Sequence, residues 1–233
     1  MSNMVVHKGR KLNSLIATLP EGAVVDAGWL ERHGYGRALR SYYGANGWLT
    51  HVARGAFRKP GVEPGWREVV SSLQVLAGVP AIVGGRTALE ARGLAHYLRM
   101  DGRTRVELWS SDPLPSWVAV AMPAGTEAVR CNPARLFESR LVPRSVPLSD
   151  GAEGRGRRPD FLVNAEGVTN LPEGPGGWPL AVSSPERAAF EMLDGVPGVE
   201  SFGQADDLFG GLATLSPGRI SILLAGCRSV KVK

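Results

Sequence analysis

The chain has 233 residues, 43% of them hydrophobic and 21% charged, enough for one large domain or two ordinary ones with a real core. No apolar run approaches the ~18 residues of a membrane span, and the N-terminus lacks the apolar stretch and cleavage site of a secretory signal. Cys131 and Cys227 stand too far apart for a C-x-x-C pair or a disulfide framework, so a reducing cytoplasm is the expected setting.

Charge is spread unevenly. Residues 1 to 60 hold nine Lys/Arg against three acids, whereas the other 173 hold eighteen against nineteen. The whole positive excess therefore belongs to the first quarter of the chain, which points to a polyanionic partner for that segment.

In chain order, RKLNSLIAT at 10 to 18 places Leu12, Leu15, Ile16 and Leu19 at helical spacing, with Pro20 and Gly22 as breakers. Val24 and Val25 lead into Asp26, an N-cap for the next helix, AGWLERHG, which Gly34 closes. A third helix, RALRSYYGA, starts after Gly36 and ends at Asn46-Gly47. The period then changes to two: WLTHVA, a turn at Arg54-Gly55, and AFRKP, up to the break at Pro60-Gly61. Three short helices and a hairpin within sixty residues is the order of a winged helix-turn-helix.

Beyond a boundary placed at 61/62, GWREVVSSLQVLAG carries Trp66, Val69, Val70, Leu73 and Leu76 on one helical face. AIVGGRTALEARGLAHYL reads as a buried strand, a glycine turn and a short helix. RVELWS, WVAVAM and TEAVRC read as strands, and PARLFE as a turn or short helix. Residues 149 to 160 and 170 to 179 are Gly/Pro-rich loops. SSPERAAFEMLDG is a helix with Ser184 as N-cap and Pro185 at its first position, and SFGQADDLFGGLATL and SPGRISILLAG give two more. The expected fold is therefore α/β (α+β): a winged helix-turn-helix over 1–61, then a mixed α/β domain over 62–233.

On the third helix, Leu39, Tyr42 and Tyr43 are expected to pack inward. Arg37, Arg40, Ser41 and Gly44, spaced i, i+3, i+4 and i+7, form the opposite face. Arginine grips guanine or phosphate bidentately and serine donates to either, so this face suits duplex DNA. Trp48, Leu49, Val52, Ala56 and Phe57 are expected to pin the hairpin to the helices while Arg54, Arg58 and Lys59 project to phosphate. Lys8, Arg10 and Lys11 offer an N-terminal arm.

GGRTALEARG lacks both P-loop and dinucleotide spacing, so its glycines are read as letting strand and helix pack closely. His7, His33, His51 and His96 have no mutual ligand spacing, and no nucleophile motif is present. Glu186 and Glu191 are read as solvent-facing. No metal, cofactor, catalytic residue or membrane contact is expected.

VVDAGWLERHGYGRALRSYYGANGWLTHVARGAFRKPG, followed by VGGRTALEARGLAHYL, SSPERAAFEMLDG and SILLAGCRSVKVK, resembles the AbiEi family of antitoxins, transcriptional regulators of bacterial abortive-infection operons. The likeness spans nearly the whole chain. It implies a non-enzymatic autorepressor that binds inverted repeats in its own promoter, as a monomer or as a dimer formed on DNA. It also implies a C-terminal domain that counters a nucleotidyltransferase-like toxin, in the type IV manner that requires no stable complex. Carried over by resemblance, Arg37, Arg40 and Ser41 read DNA, and Arg54 and Arg58 serve the wing. The family pattern runs on past the VKVK-like stretch through another helix and strands, whereas this sequence stops at Lys233, as a shorter variant or a truncated chain would. Two alternatives stay open on the residues alone: a module that sequesters a toxin directly, and a nucleic-acid-processing enzyme with an unrecognised site.

Overall fold

The computed structural model describes residues 2–94, 103–147, 160–212 and 214–233. The expected histidine at 96 and most of the 149 to 160 loop lie outside them. The first elements are α1 (Ser2–Thr18), β1 (Val24–Asp26), α2 (Ala27–Arg32), α3 (Arg37–Ala45), β2 (Thr50–Ala53) and β3 (Ala56–Arg58). The three strands form one antiparallel sheet in the order β1-β3-β2, with Val25 opposite Phe57 and Phe57 opposite His51. This is a winged helix-turn-helix.

Local chemistry explains the boundaries. The Asp26 carboxylate accepts the Trp29 amide at 2.6 Å and so caps α2. Gly34 follows that helix in the left-handed region (φ 79°), where a Cβ would be strained. Gly55 (φ 77°) turns the hairpin. α1 begins eight residues earlier than its apolar spacing suggests. β1 is too short to show an alternation of its own; it exists because β3, some thirty residues later, pairs with it.

The remainder comprises α4 (Trp66–Val75), β4 (Ile82–Val83), α5 (Gly85–Ala91), β5 (Thr104–Trp109), α6 (Trp117–Ala121), β6 (Thr126–Cys131), α7 (Pro133–Leu136), β7 (Arg144–Pro147), β8 (Phe161–Asn164), β9 (Val168–Leu171), β10 (Leu180–Ser183), α8 (Pro185–Asp194), α9 (Phe202–Gly211) and α10 (Pro217–Ala225). A mixed five-stranded sheet runs β6-β5-β4-β10-β9, and β7 and β8 form a separate antiparallel pair. WVAVAM is helical, not a strand. Trp117, Val118 and Ala121 are buried while Val120 is 62% exposed, which is the burial period of a helix. Glu186 and Glu191, expected in solvent, are both buried.

The core does not divide at residue 61. Leu15, Leu19, Val25, Trp29, Leu30, Tyr43 and Phe57 pack with Val75 and Leu76 from the end of α4 and with Trp178. Ser72 on α4 accepts the Val24 amide at 3.0 Å, and Trp29 Nε1 donates to Asp160. Val52 and Ala53 of β2 and Ala56 of β3 pack into the cluster that holds Trp117, Val118 and Ala121 of α6. The wing is thus seated on the second half of the chain. Among the described residues no helix is long and apolar enough to cross a membrane.

Candidate nucleic-acid interface

α3 rotates its side chains by about 100° per residue. Tyr43 is buried and Leu39 half-buried, so the inward direction lies between them. The outward stripe is Arg37, Ala38, Ser41, Tyr42 and Ala45, all exposed. Arg37 and Ser41 stand one turn apart on it, and the alanines leave room for close approach of a backbone. Tyr42, expected to pack, is 45% exposed and joins this stripe instead.

Arg40 leaves the expected face. Its Nη1 donates to Tyr35 O at 2.8 Å and Glu31 Oε2 at 3.0 Å, with Ala27 O at 3.5 Å. A guanidinium tied to three acceptors on the preceding helix and turn fastens α3 to α2. Arg37, Ser41 and, at the hairpin turn, Arg54 are exposed, and none of their side chains has a hydrogen bond or ion pair to a described residue.

Three more of the expected cations, Arg58, Lys59 and Lys11, are likewise engaged within the protein, while Arg10 on α1 is exposed. Arg58 is buried on β3, where its guanidinium donates to the carbonyls of Lys59 and Val62 and pairs with Glu63, so it shapes the exit from the wing. Lys59 Nζ donates to Leu19 O at 3.0 Å and Ile16 O at 3.4 Å, closing the C-terminal end of α1. Lys11 Nζ donates to Gly34 O at 2.8 Å. Neither Arg58 nor Lys59 projects from the far strand. Trp48, expected to pin the hairpin, is 48% exposed; Leu49 and Phe57 do the pinning, with His51 against Phe57 at a 4.5 Å centroid distance.

The open surface is therefore narrower than the basic composition suggests: the α3 stripe, His51 and Trp48 beside it, and Arg54 at the wing tip. A helix face of this kind fits a groove, and a wing-tip arginine reaches flanking phosphate. Among the described residues no group of three or more His, Cys, Asp or Glu is placed to hold a metal ion.

Residues 8–100 match the family described as transcriptional regulator, AbiEi antitoxin N-terminal domain. Residues 160–233 match that described as transcriptional regulator, AbiEi antitoxin, type IV TA system. No curated protein matches the sequence. With a winged helix at one end and both matches in register along the chain, the protein belongs to the AbiEi family of antitoxin transcriptional regulators.

Proposed function

We propose that this protein is an autorepressor of its own toxin–antitoxin operon, lodged in the cytoplasm and without enzymatic activity. In this reading Arg37 and Ser41 read the major groove, Arg54 holds a flanking phosphate, and inverted repeats in the promoter engage two copies. The toxin it counters is nucleotidyltransferase-like and need not form a stable complex with it. The observation that carries the reading is the open α3 stripe beside a wing-tip arginine, in the segment that holds the whole positive excess. Family membership supports it. Arg40, Arg58, Lys59 and Lys11 take no part in base or phosphate contact; they hold the reading head in shape.

The test is gel retardation of the DNA upstream of the operon across a salt series. Arg37→Ala with Arg54→Ala should weaken binding by at least about tenfold and flatten the salt slope by about 1 for each phosphate no longer neutralised. Arg40→Ala should cost about 1–3 kcal/mol of stability by leaving carbonyls without a donor, while the folded fraction keeps the parent's salt slope. Parental affinity in the Arg37/Arg54 variant would sink the assignment.

A further inference from the structure

On the other side of the five-stranded sheet from α6 lies a pocket of about 480 Å³, within the roughly 300–1,000 Å³ of small-molecule sites. Strand alternation along β5 builds one wall: Val106 and Leu108 enter the core that includes α6, and Arg105, Glu107 and Trp109 line the pocket. Arg135 comes from α7, Glu191 and Asp194 from α8, and Lys231 from the C-terminal segment.

Two of the acids are already satisfied within the protein. Glu191 accepts from Arg187 Nε at 2.8 Å, Ser183 Oγ at 2.8 Å and Gly85 N at 2.9 Å. Glu200 takes both ends of the Arg86 fork, Nε at 2.9 Å and also Nη2. What faces the pocket beyond these pairs is Arg105, Arg135 and Lys231, with only Glu107 and Asp194 opposite them, so cations are in excess; Arg130 pairs with Leu108 across β5 and β6 and turns its side chain to the α6 face. Lys231 is braced by the carbonyls of Asp194 and Val196.

Two of the pocket's buried donors have no acceptor among the described residues. Trp109 is 3% exposed and its indole Nε1 finds none there, and Arg105 Nε has only the Glu107 carboxylate at 3.8 Å, beyond hydrogen-bond range. Buried N–H groups left unbonded are uncommon and costly. Both belong to side chains that line the pocket, where a ligand could supply acceptors.

We propose that this pocket binds a small phosphate-bearing ligand of mononucleotide size. The phosphate is held by Arg105 and Arg135, whose forks match its oxygens, with Lys231 beside them. Glu107 and Asp194 accept from the hydroxyl or amino groups of the rest of the ligand. The site is separate from the DNA-reading stripe and stands or falls independently of it.

The experiment is isothermal titration of the purified full chain at low ionic strength with inorganic phosphate, AMP and GTP, folding of each variant being checked by circular dichroism. A nucleotide should bind once per chain, more tightly than phosphate alone. Arg135→Ala, on the exposed rim, should lower affinity by about tenfold or more, as loss of charge-assisted hydrogen bonds requires. Trp109→Phe keeps an aromatic side chain, though a smaller one, removes the donor, and should weaken binding severalfold. The Arg37→Ala/Arg54→Ala protein should bind as the parent does. The proposal is overturned by no binding of any probe at millimolar concentration, by equal affinity for phosphate and nucleotide, by an unchanged affinity in the Arg135 variant, or by loss confined to the Arg37/Arg54 variant.

Discussion

Glu107 carries a carboxyl that is 9% exposed, and burial pushes its pKa up from 4.5 to about 7 although Arg105 opposes the shift. The folded chain holds this proton more tightly than the unfolded chain does. Its contribution to stability is therefore greatest at acid pH and is lost as pH rises from about 4.5 to about 7. Above that range the ionised, buried group is a fixed penalty, at most about 3 kcal/mol. Glu107→Gln should accordingly gain stability at pH 8, by up to about 3 kcal/mol, and gain almost nothing at pH 4.5, as urea denaturation at both values would measure. An equal change at the two pH values would show that the carboxyl does not titrate in this range. α3 shows at the same scale what spacing alone leaves open. Arg37, Arg40 and Ser41 share a face by periodicity, but two adjacent tyrosines do not reveal which of them points inward. Turning both inward rotates the expected face toward Arg40, whose acceptors Glu31 and Tyr35 precede the helix. No periodicity within α3 contains that information.

At the scale of elements, Gly84-Gly85 joins β4 to α5 and determines how α8 is charged. A Cβ on Gly84 would lie 2.3 Å from Glu191 Oε2 and 2.4 Å from Trp109 Cδ1, and one on Gly85 2.3 Å from Glu107 Oε2. The glycines do allow close packing, as their setting between strand and helix suggests, yet what comes close is a carboxylate. The Gly85 amide donates to Glu191, and Arg187, one turn earlier on α8, neutralises it. In sequence that Arg–Glu pair looks like an ordinary exposed helix pair. Only the approach of a segment a hundred residues away buries it, so the cap of α8 at Ser184 is legible in the sequence and its charge pattern is not. Gly84→Ala should cost about 3 kcal/mol by overpacking and by separating Glu191 from its donors. Gly210→Ala on α9, where an added Cβ meets nothing within 4 Å, should be neutral or gain up to about 1 kcal/mol of helix propensity. The two urea midpoints decide this; similar shifts in both variants would contradict it.

At the scale of the whole molecule, the order helix, helix, helix, hairpin is written in local signals: the Asp26 cap, the glycines at 34 and 55, and the change of period after Gly47. The seating of that unit is not, because its contacts join residues roughly 50 to 150 positions apart. Val75, Leu76 and Trp178 complete its core, Asp160 takes the Trp29 indole, and α6 lies under β2. α4 serves both clusters, with Val69, Val70 and Leu73 in one and Val75 and Leu76 in the other. A segment cut at residue 61 would expose this apolar surface and lose the partner of Trp29. Residues 1–61 made alone should therefore show no cooperative thermal transition by circular dichroism, while the full chain unfolds in one. Binding of operon DNA should be lost with the fold. A cooperative transition in the short chain, together with parental DNA affinity, would mean that the reading head is self-sufficient and that the second half merely carries it. Failure of the short chain to fold would mean that anything displacing α4 or α6 also moves the wing, because they share one core.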